Sequence, residues 1–138
     1  MPERREIGHR EARGLVAMVA DRLEANGQGA AVAVVDRHGE LVAFLRTDEC
    51  PLASINNAVN KAFTAARERV ESGVLGERSR TEGFPLTNFG DPRYTGWGGG
   101  VPIIVDGAVI GAVGVSGLPE ADDVELARWA AASLSAAG

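Results

Sequence analysis

The chain has 138 residues and carries 14 Lys and Arg against 19 Asp and Glu, which gives a formal net charge of −5. The basic residues are scattered, whereas a nucleic-acid partner requires clustered positive charge, so we expect none. No apolar run approaches the roughly 20 residues of a membrane span, and a single cysteine excludes an intramolecular disulfide. The length fits one domain over residues 1–138.

The first half of the chain predicts a helix, a hairpin and a second helix. Leu15, Met18, Val19 and Leu23 recur at helical spacing and predict a helix over residues 8–26. Two β-rich runs, 31–35 and 40–46, flank the turn-forming residues 36–39 and predict a hairpin. An apolar stripe that starts after Pro51 predicts a second helix ending at Gly73.

The second half predicts an irregular segment, a second hairpin and a last helix. Periodicity is absent over residues 72–100, where one short strand is expected near 84–89, and such a long segment is usually functional or mobile. Asp106-Gly107 lies between two β-branched runs and predicts a type I′ hairpin turn. Residues 119–137 form the last helix. The order α-β-β-α-(β)-β-β-α predicts an α+β fold, an antiparallel sheet covered by helices.

The last hairpin is unusually rich in glycine. Glycine weakens a strand by about 0.5–1 kcal/mol relative to alanine, so we expect a ligand or a neighbouring backbone to approach there more closely than a Cβ allows. The glycines before the first strand of this hairpin either expose N–H groups as an anion-binding nest or form a hinge. The glycines concerned are Gly98, Gly99, Gly100, Gly111, Gly114 and Gly117.

Four motifs together resemble the GlcG/HbpS-like family, which includes the PduO C-terminal domain and haem-binding proteins. They are the run GGGVPIIVDGAVIGAVGVSG at 98–117 with the acidic residues after it, the hairpin at 34–43, Arg46-Thr47-Asp48, and Asn-Lys-Ala-Phe-Thr-Ala-Ala at 60–66. The resemblance implies a profilin-like, five-stranded antiparallel sheet and assembly into homo-tetramers or octamers. The family typically continues with Asp-Gly-Ala where this chain has Asp48-Glu49-Cys50.

Charged candidates for a site lie on the second helix and at the end of the second strand. Lys61 lies opposite the apolar stripe, with Asn57 one turn before it. It is either a solvated lysine or a ligand-facing one, and the resemblance favours the latter because the family motif has lysine there. Arg46 and Asp48 end the second strand, where a guanidinium suits carboxylates. Alternatively, Arg46 pairs with Asp48 or across a subunit interface.

Further candidates are a thiol, two aromatic residues and a hydroxyl. Cys50 precedes the second helix, whose N-terminus lowers a thiol pKa, and is either a nucleophile or a small buried hydrophobe. Tyr94 and Trp97 are candidate walls for a planar ligand, or they pack the loop. Ser116 is a ligand-binding candidate, but its sequence context is not that of a Ser-His-Asp hydrolase.

Two functional hypotheses follow. The resemblance implies an oligomer that binds haem or a related tetrapyrrole, with Arg46 and Lys61 facing its anionic groups and with Tyr94, Trp97 and residues 98–100 lining the pocket. The alternative is an enzyme acting on a small organic acid or carbonyl compound, with Lys61 as acid/base, Arg46 as carboxylate clamp and Cys50 nearby. A third interpretation is an assembly module whose glycines only permit close subunit packing.

Candidate ligands for a haem iron are few, and no other metal site is predicted. The haem candidates are His9, His38, Met18, Cys50 and Tyr94. Neither histidine lies in an apolar stripe, and His/Cys spacing typical of zinc is absent. Residues 1–6 lack the apolar stretch of a secretory signal, so we expect a cytoplasmic protein.

Overall fold

The computed structural model describes the backbone of residues 5–137 and the side chains of residues 5–135. Residues 1–4, which are part of the segment 1–6 searched for a secretory signal, therefore lie outside the described residues. The elements in chain order are α1 (His9–Ala25), β1 (Ala31–Asp36), β2 (Leu41–Arg46), α2 (Ala53–Glu68), α3 (Ser72–Glu82), β3 (Gly100–Val105), β4 (Ala108–Ser116) and α4 (Glu120–Ala137).

The sheet is antiparallel throughout, in the order β2-β1-β4-β3. Central strand β1 pairs with both neighbours, so that Ala31 lies opposite Arg46 on one side and opposite Ser116 on the other. The α+β class, the first helix and both hairpins are confirmed. Asp106 and Gly107 have φ of 51° and 77°, as a type I′ turn requires.

The strand count and the segment between residues 72 and 100 were predicted wrongly. The described residues form four strands, and in place of the fifth, Leu86–Phe89 form a 3₁₀ turn. Helix α3 was missed because only Ser72, Leu75 and Gly76 on it are buried, which leaves no apolar stripe to detect. Helix α2 ends at Glu68 rather than Gly73 because Arg69 adopts a left-handed conformation with φ of 58°.

Helices cover both faces of the sheet. Helices α1 and α4 pack on one face through a cluster that includes Leu15, Leu23, Ile103, Val113 and Leu126. Helix α2 packs on the other face, where nearly all contacts are made by alanines of α2, β1 and β4. All residues of β1 from 31 to 35 are buried, since this strand is covered on both faces. None of the described helices is long and apolar enough to cross a membrane.

Glycine lets α2 lie unusually close to the sheet. A Cβ at Gly114 would lie 2.1 Å from the carbonyl oxygen of Ala58, and one at Gly100 would lie 2.0 Å from that of Lys61. The neighbouring backbone, rather than a ligand, therefore accounts for these two glycines. The close approach places the middle of α2 against the end of β4, where the candidate site lies.

Candidate functional site

Lys61, the only lysine in the chain, is buried in an ion pair with Asp123. Its ammonium group donates hydrogen bonds to the carbonyl oxygen of Val115 at 3.0 Å and to Oδ2 of Asp123 at 3.1 Å. The two residues are 3% and 2% exposed, respectively. The solvated interpretation of Lys61 is therefore wrong, because the short alanine side chains of α2 bring this helix close enough to the sheet to enclose the lysine.

Asp123 stands in the first turn of α4 and is held from two sides. Its Oδ1 accepts a hydrogen bond from the Leu118 N–H at 3.0 Å, while Oδ2 faces Lys61. Burial raises the pKa of the Asp123 carboxyl above its usual value, and the charge of Lys61 and the backbone hydrogen bonds oppose that rise. The pair thus joins α2, the end of β4 and the start of α4 through charged groups in a low-dielectric environment.

A cleft of about 270 Å³ opens beside this ion pair. It brings together Asn57, Lys61, Trp97 and Ser116, four residues singled out from the sequence. It also includes Ser54, Glu120 and Asp123, which sequence reasoning missed. The acidic residues after the last strand were visible in the sequence, but only the fold shows that one of them faces Lys61.

Polar groups in the cleft are left unpaired. Ser54 and Ser116 are 6% and 4% exposed, yet their hydroxyls form no hydrogen bond with any described residue, and neither does the Asn57 side-chain amide. None of these polar atoms is itself fully enclosed, so each is accessible from the cleft and free to form a hydrogen bond with a polar ligand.

Trp97 separates the cleft from a second depression of about 310 Å³. Arg80, Thr95 and Gly96 line this depression, and Trp97 and Glu120 border both hollows. Trp97 is 60% exposed. Arg80 forms no ion pair within residues 5–135, and its position on α3 explains why the sequence, which predicted no helix there, did not reveal it.

The segment before β3 is fixed by hydrogen bonds inside the protein. The Gly98 N–H donates to the Glu120 carboxylate, and the Gly100 N–H donates to the Ser72 hydroxyl at 2.9 Å. That hydroxyl in turn donates to the Trp97 carbonyl oxygen at 2.7 Å, and the Gly99 carbonyl accepts from the Val115 N–H. With these N–H groups already bonded, the segment is neither an open anion nest nor a free hinge. It holds Trp97 in place.

Arg46, Asp48 and Cys50 do not line this cleft, although Pro51, the residue after Cys50, does. Arg46 and Asp48 line a depression of about 530 Å³, and together with Cys50 they line another of about 280 Å³; neither hollow includes Lys61 or Trp97. The structure therefore does not bring Arg46 together with Lys61. Burial raises the pKa of the Cys50 thiol, with Arg46 opposing the rise, which is the opposite of the shift that activates a nucleophile.

Tyr94 packs the loop instead of walling a pocket with Trp97. Its ring stacks on Phe89 with centroids 4.4 Å apart and meets the edge of Phe63. Its hydroxyl donates a hydrogen bond to Glu68 at 2.8 Å. Burial, and then this carboxylate, raise the pKa of Tyr94 to about 12.

The residues around Trp97 offer groups suited to the ring and the carboxylates of a tetrapyrrole but no ligand for its iron. The exposed indole of Trp97 offers a planar face, and Arg80 offers a positive charge to a carboxylate. His9 and His38 are exposed elsewhere, and no histidine, cysteine, methionine or tyrosine of the described chain lines either hollow. Nor do the described residues contain a cluster of His, Cys, Asp or Glu that would hold a metal ion.

The fold and the cleft define a small α+β domain with an antiparallel sheet and a polar ligand-sized hollow at one end of its last strand. The family model described as "Haem degrading protein HbpS-like" matches residues 7–132, and the chain belongs to this family. Protein GlcG of Escherichia coli K12 is 34% identical over 118 residues, which cover 80% of this chain and 81% of GlcG.

Solved structures agree with the family assignment. The Klebsiella pneumoniae protein ORFY has a TM-score of 0.88 at 30% identity, covering 99% of this chain and 95% of its own. A double mutant of Streptomyces reticuli HbpS has a TM-score of 0.85 at 30% identity, covering 97% and 90% of the two chains. A PduOC structure in complex with haem is 24% identical with a TM-score of 0.84, over 93% of this chain and 94% of its own, and shows the shared fold.

Proposed function

We propose that this protein binds haem or a related tetrapyrrole against the exposed face of Trp97. The observation on which the proposal depends is this indole, which is 60% exposed and lines two hollows, in a chain of a family described as "Haem degrading protein HbpS-like". Aromatic faces bind planar ligands by offset stacking. Arg80 lines the same depression as Trp97 and can pair with a carboxylate of the ring.

The ring and its carboxylates, rather than the iron, supply the affinity in this proposal. The side chains around Trp97 include no axial ligand among the described residues. Haemin and metal-free protoporphyrin IX are therefore expected to bind with affinities within about threefold of each other, since an iron–protein bond contributes nothing to either.

Trp97→Leu and Arg80→Gln test the proposal, with Arg78→Gln, exposed on the same helix, as the matched control. Loss of a hydrogen bond to a charged group costs about 1.5–3 kcal/mol, or roughly ten- to a hundredfold in affinity, so Arg80→Gln weakens binding of both porphyrins by that factor. Trp97→Leu weakens it by about three- to tenfold. Titration of visible absorbance measures both effects. Porphyrin binding that is unchanged in both variants would refute the site.

We propose that the binding unit is a closed homo-oligomer, a tetramer or octamer. Both edge strands expose apolar side chains, Leu41 and Leu45 on β2 and Ile104 on β3, at 52%, 38% and 45% exposure. Exposed apolar edges favour pairing with a second copy. Sedimentation velocity at micromolar concentration tests this, and a monomer would contradict it.

The cytoplasm is the proposed location, and recovery of the tagged chain from a secreted fraction would contradict that.

A second candidate function is an enzyme, or a binding protein, for a small carbonyl compound held in the cleft beside Lys61. It is favoured by the unpaired hydroxyls of Ser54 and Ser116 next to a buried ion pair, because perturbed ionisable groups in clefts mark functional sites. Arg46 has no part in it, since it lies in other hollows. Asn57→Ala is expected to abolish binding in the cleft while leaving the thermal midpoint within about 2 °C.

A further inference from the structure

We infer that the cleft beside the Lys61–Asp123 pair selects an uncharged small molecule bearing hydroxyl or carbonyl groups and rejects organic acids. The inference rests on the second candidate function and narrows its ligand class. The sequence left two ligand classes open, a small organic acid and a carbonyl compound, and the inference excludes the acid. Three features of the cleft support it: its charge, its free hydrogen-bonding groups and its volume.

The charge of the cleft is unfavourable for an anion. Its walls include one ammonium group, that of Lys61, against the carboxylates of Asp123 and Glu120. The ammonium group is already paired with Asp123 at 3.1 Å, and Glu120 is held at the rim by the Gly98 N–H. A ligand carboxylate therefore meets two like charges and one cation that is already neutralised. The guanidinium of Arg46 is not among the groups that line the cleft.

The free hydrogen-bonding groups of the cleft match an uncharged polar molecule. A hydroxyl donates one hydrogen bond and accepts others, and an Asn amide does both, so Ser54, Ser116 and Asn57 are complementary to alcohols and carbonyls alike. An ammonium group has three donors, and the Lys61 ammonium uses two of them on Val115 and Asp123. Its remaining N–H is suited to a carbonyl oxygen, which needs no counter-charge.

The volume separates this ligand from the tetrapyrrole. About 270 Å³ is just below the range of roughly 300–1,000 Å³ in which drug-sized ligands bind. The interior of the cleft therefore takes a molecule smaller than a typical drug-sized ligand, while a porphyrin remains outside it against Trp97. Trp97 lines both hollows, so each ligand is expected to affect the other's binding.

Matched pairs of equal carbon number test the charge preference directly. Hydroxyacetone is compared with lactate, and glyceraldehyde with glycerate, by following the Asn57 side-chain amide and the Trp97 indole N–H in ¹H–¹⁵N NMR titrations. The neutral member of each pair is expected to bind at least tenfold more tightly, which corresponds to about 1.4 kcal/mol. Acids that bind as tightly as their neutral partners would overturn the inference but leave the cleft as a small-molecule site.

Glu120→Gln distinguishes charge from shape. The amide keeps an acceptor for the Gly98 N–H, so the rim retains its structure while it loses one negative charge. This variant is expected to raise the affinity for lactate and glycerate at least threefold relative to that for their neutral partners. Glu125→Gln, exposed on the same helix and outside the cleft, is the control and is expected to change neither. Equal preference in wild type and Glu120→Gln would overturn the inference, whereas no shift with any of the four compounds would overturn the second candidate function as well.

Discussion

Replacing Lys61 by Met removes the cation from a pair that is almost fully enclosed. Removal of one partner of a buried pair typically costs 3–5 kcal/mol, because the other charge is left buried and uncompensated. With Lys61 and Asp123 only 3% and 2% exposed, and with the ammonium also bonded to Val115, the upper part of that range applies. Whole domains are stable by about 5–15 kcal/mol, so Lys61→Met loses a large share of the total.

The loss is expected to depend on pH. The pKa of Asp123 already lies above its ordinary 3.8 because of burial, and without Lys61 it rises further. A carboxyl whose folded pKa is raised stabilises the fold fully below its unfolded pKa, and this contribution is lost as pH rises through the folded pKa. Lys61→Met is therefore least destabilised near about pH 4 and is destabilised further as pH rises through the raised pKa of Asp123.

Urea unfolding followed by circular dichroism measures the effect, with Arg78→Met, an exposed charge deletion, expected to stay within about ±0.5 kcal/mol. Adding Asp123→Asn removes the stranded charge, so the double variant recovers more than about 1 kcal/mol relative to the sum of the single changes. A loss below about 1 kcal/mol for Lys61→Met, constant between acidic and neutral pH, would refute the reasoning.

Two further outcomes are expected. Gly114→Ala would place a methyl group 2.1 Å from the Ala58 carbonyl oxygen, and we expect it to lower the unfolding free energy by at least about 2 kcal/mol. Gly14→Ala is the control: a Cβ there has nothing within 4 Å, so the unfolding free energy is expected to rise by about 0.5–1 kcal/mol. Urea unfolding compares the two variants. Burial, and then the Glu68 carboxylate, raise the pKa of Tyr94, the only tyrosine, to about 12, so Glu68→Gln is expected to lower this pKa only in part, as read from absorbance at high pH. Because this pKa is raised, stability falls as pH rises from about 10 to about 12, and a Tyr94 midpoint near 10 in the wild type would contradict the partly buried hydrogen bond to Glu68.

Local patterns in the sequence predicted most of the fold. The turn at Asp106-Gly107 and the stripe of α1 depend on neighbouring residues, so spacing alone placed them within a residue or two. Helix α3 has no such stripe, since the sheet contacts it only near its first turn, and no local signal reveals it. The 3₁₀ turn at Leu86–Phe89 resembles a strand in composition, because aromatic residues are typical of both strands and packed loops.

The site was predicted in part. Asn57, Lys61, Trp97 and Ser116 do lie together, but Arg46 and Cys50 do not line the same cleft. Arg46 and Ser116 end their strands at the same end of the sheet, but β1 lies between β2 and β4, and local spacing does not predict this strand order. The counter-charge of Lys61 is 62 residues away in sequence. It comes within reach only in the fold, because α4 begins just beyond the end of β4, beside α2. Long-range pairs of this kind leave no trace in local spacing.

Because the only lysine of the chain is buried, its chemical reactivity reports how often the surrounding structure opens. Amine-reactive reagents find, apart from the chain's α-amino group, a single target, and that target is enclosed between α2 and α4 while its ion pair is closed. The rate at which Lys61 is acylated therefore measures how often this contact separates, in the same way that amide exchange measures local unfolding. A ligand that fills the adjoining cleft would slow that rate, so occupancy becomes readable by mass spectrometry on an unlabelled protein.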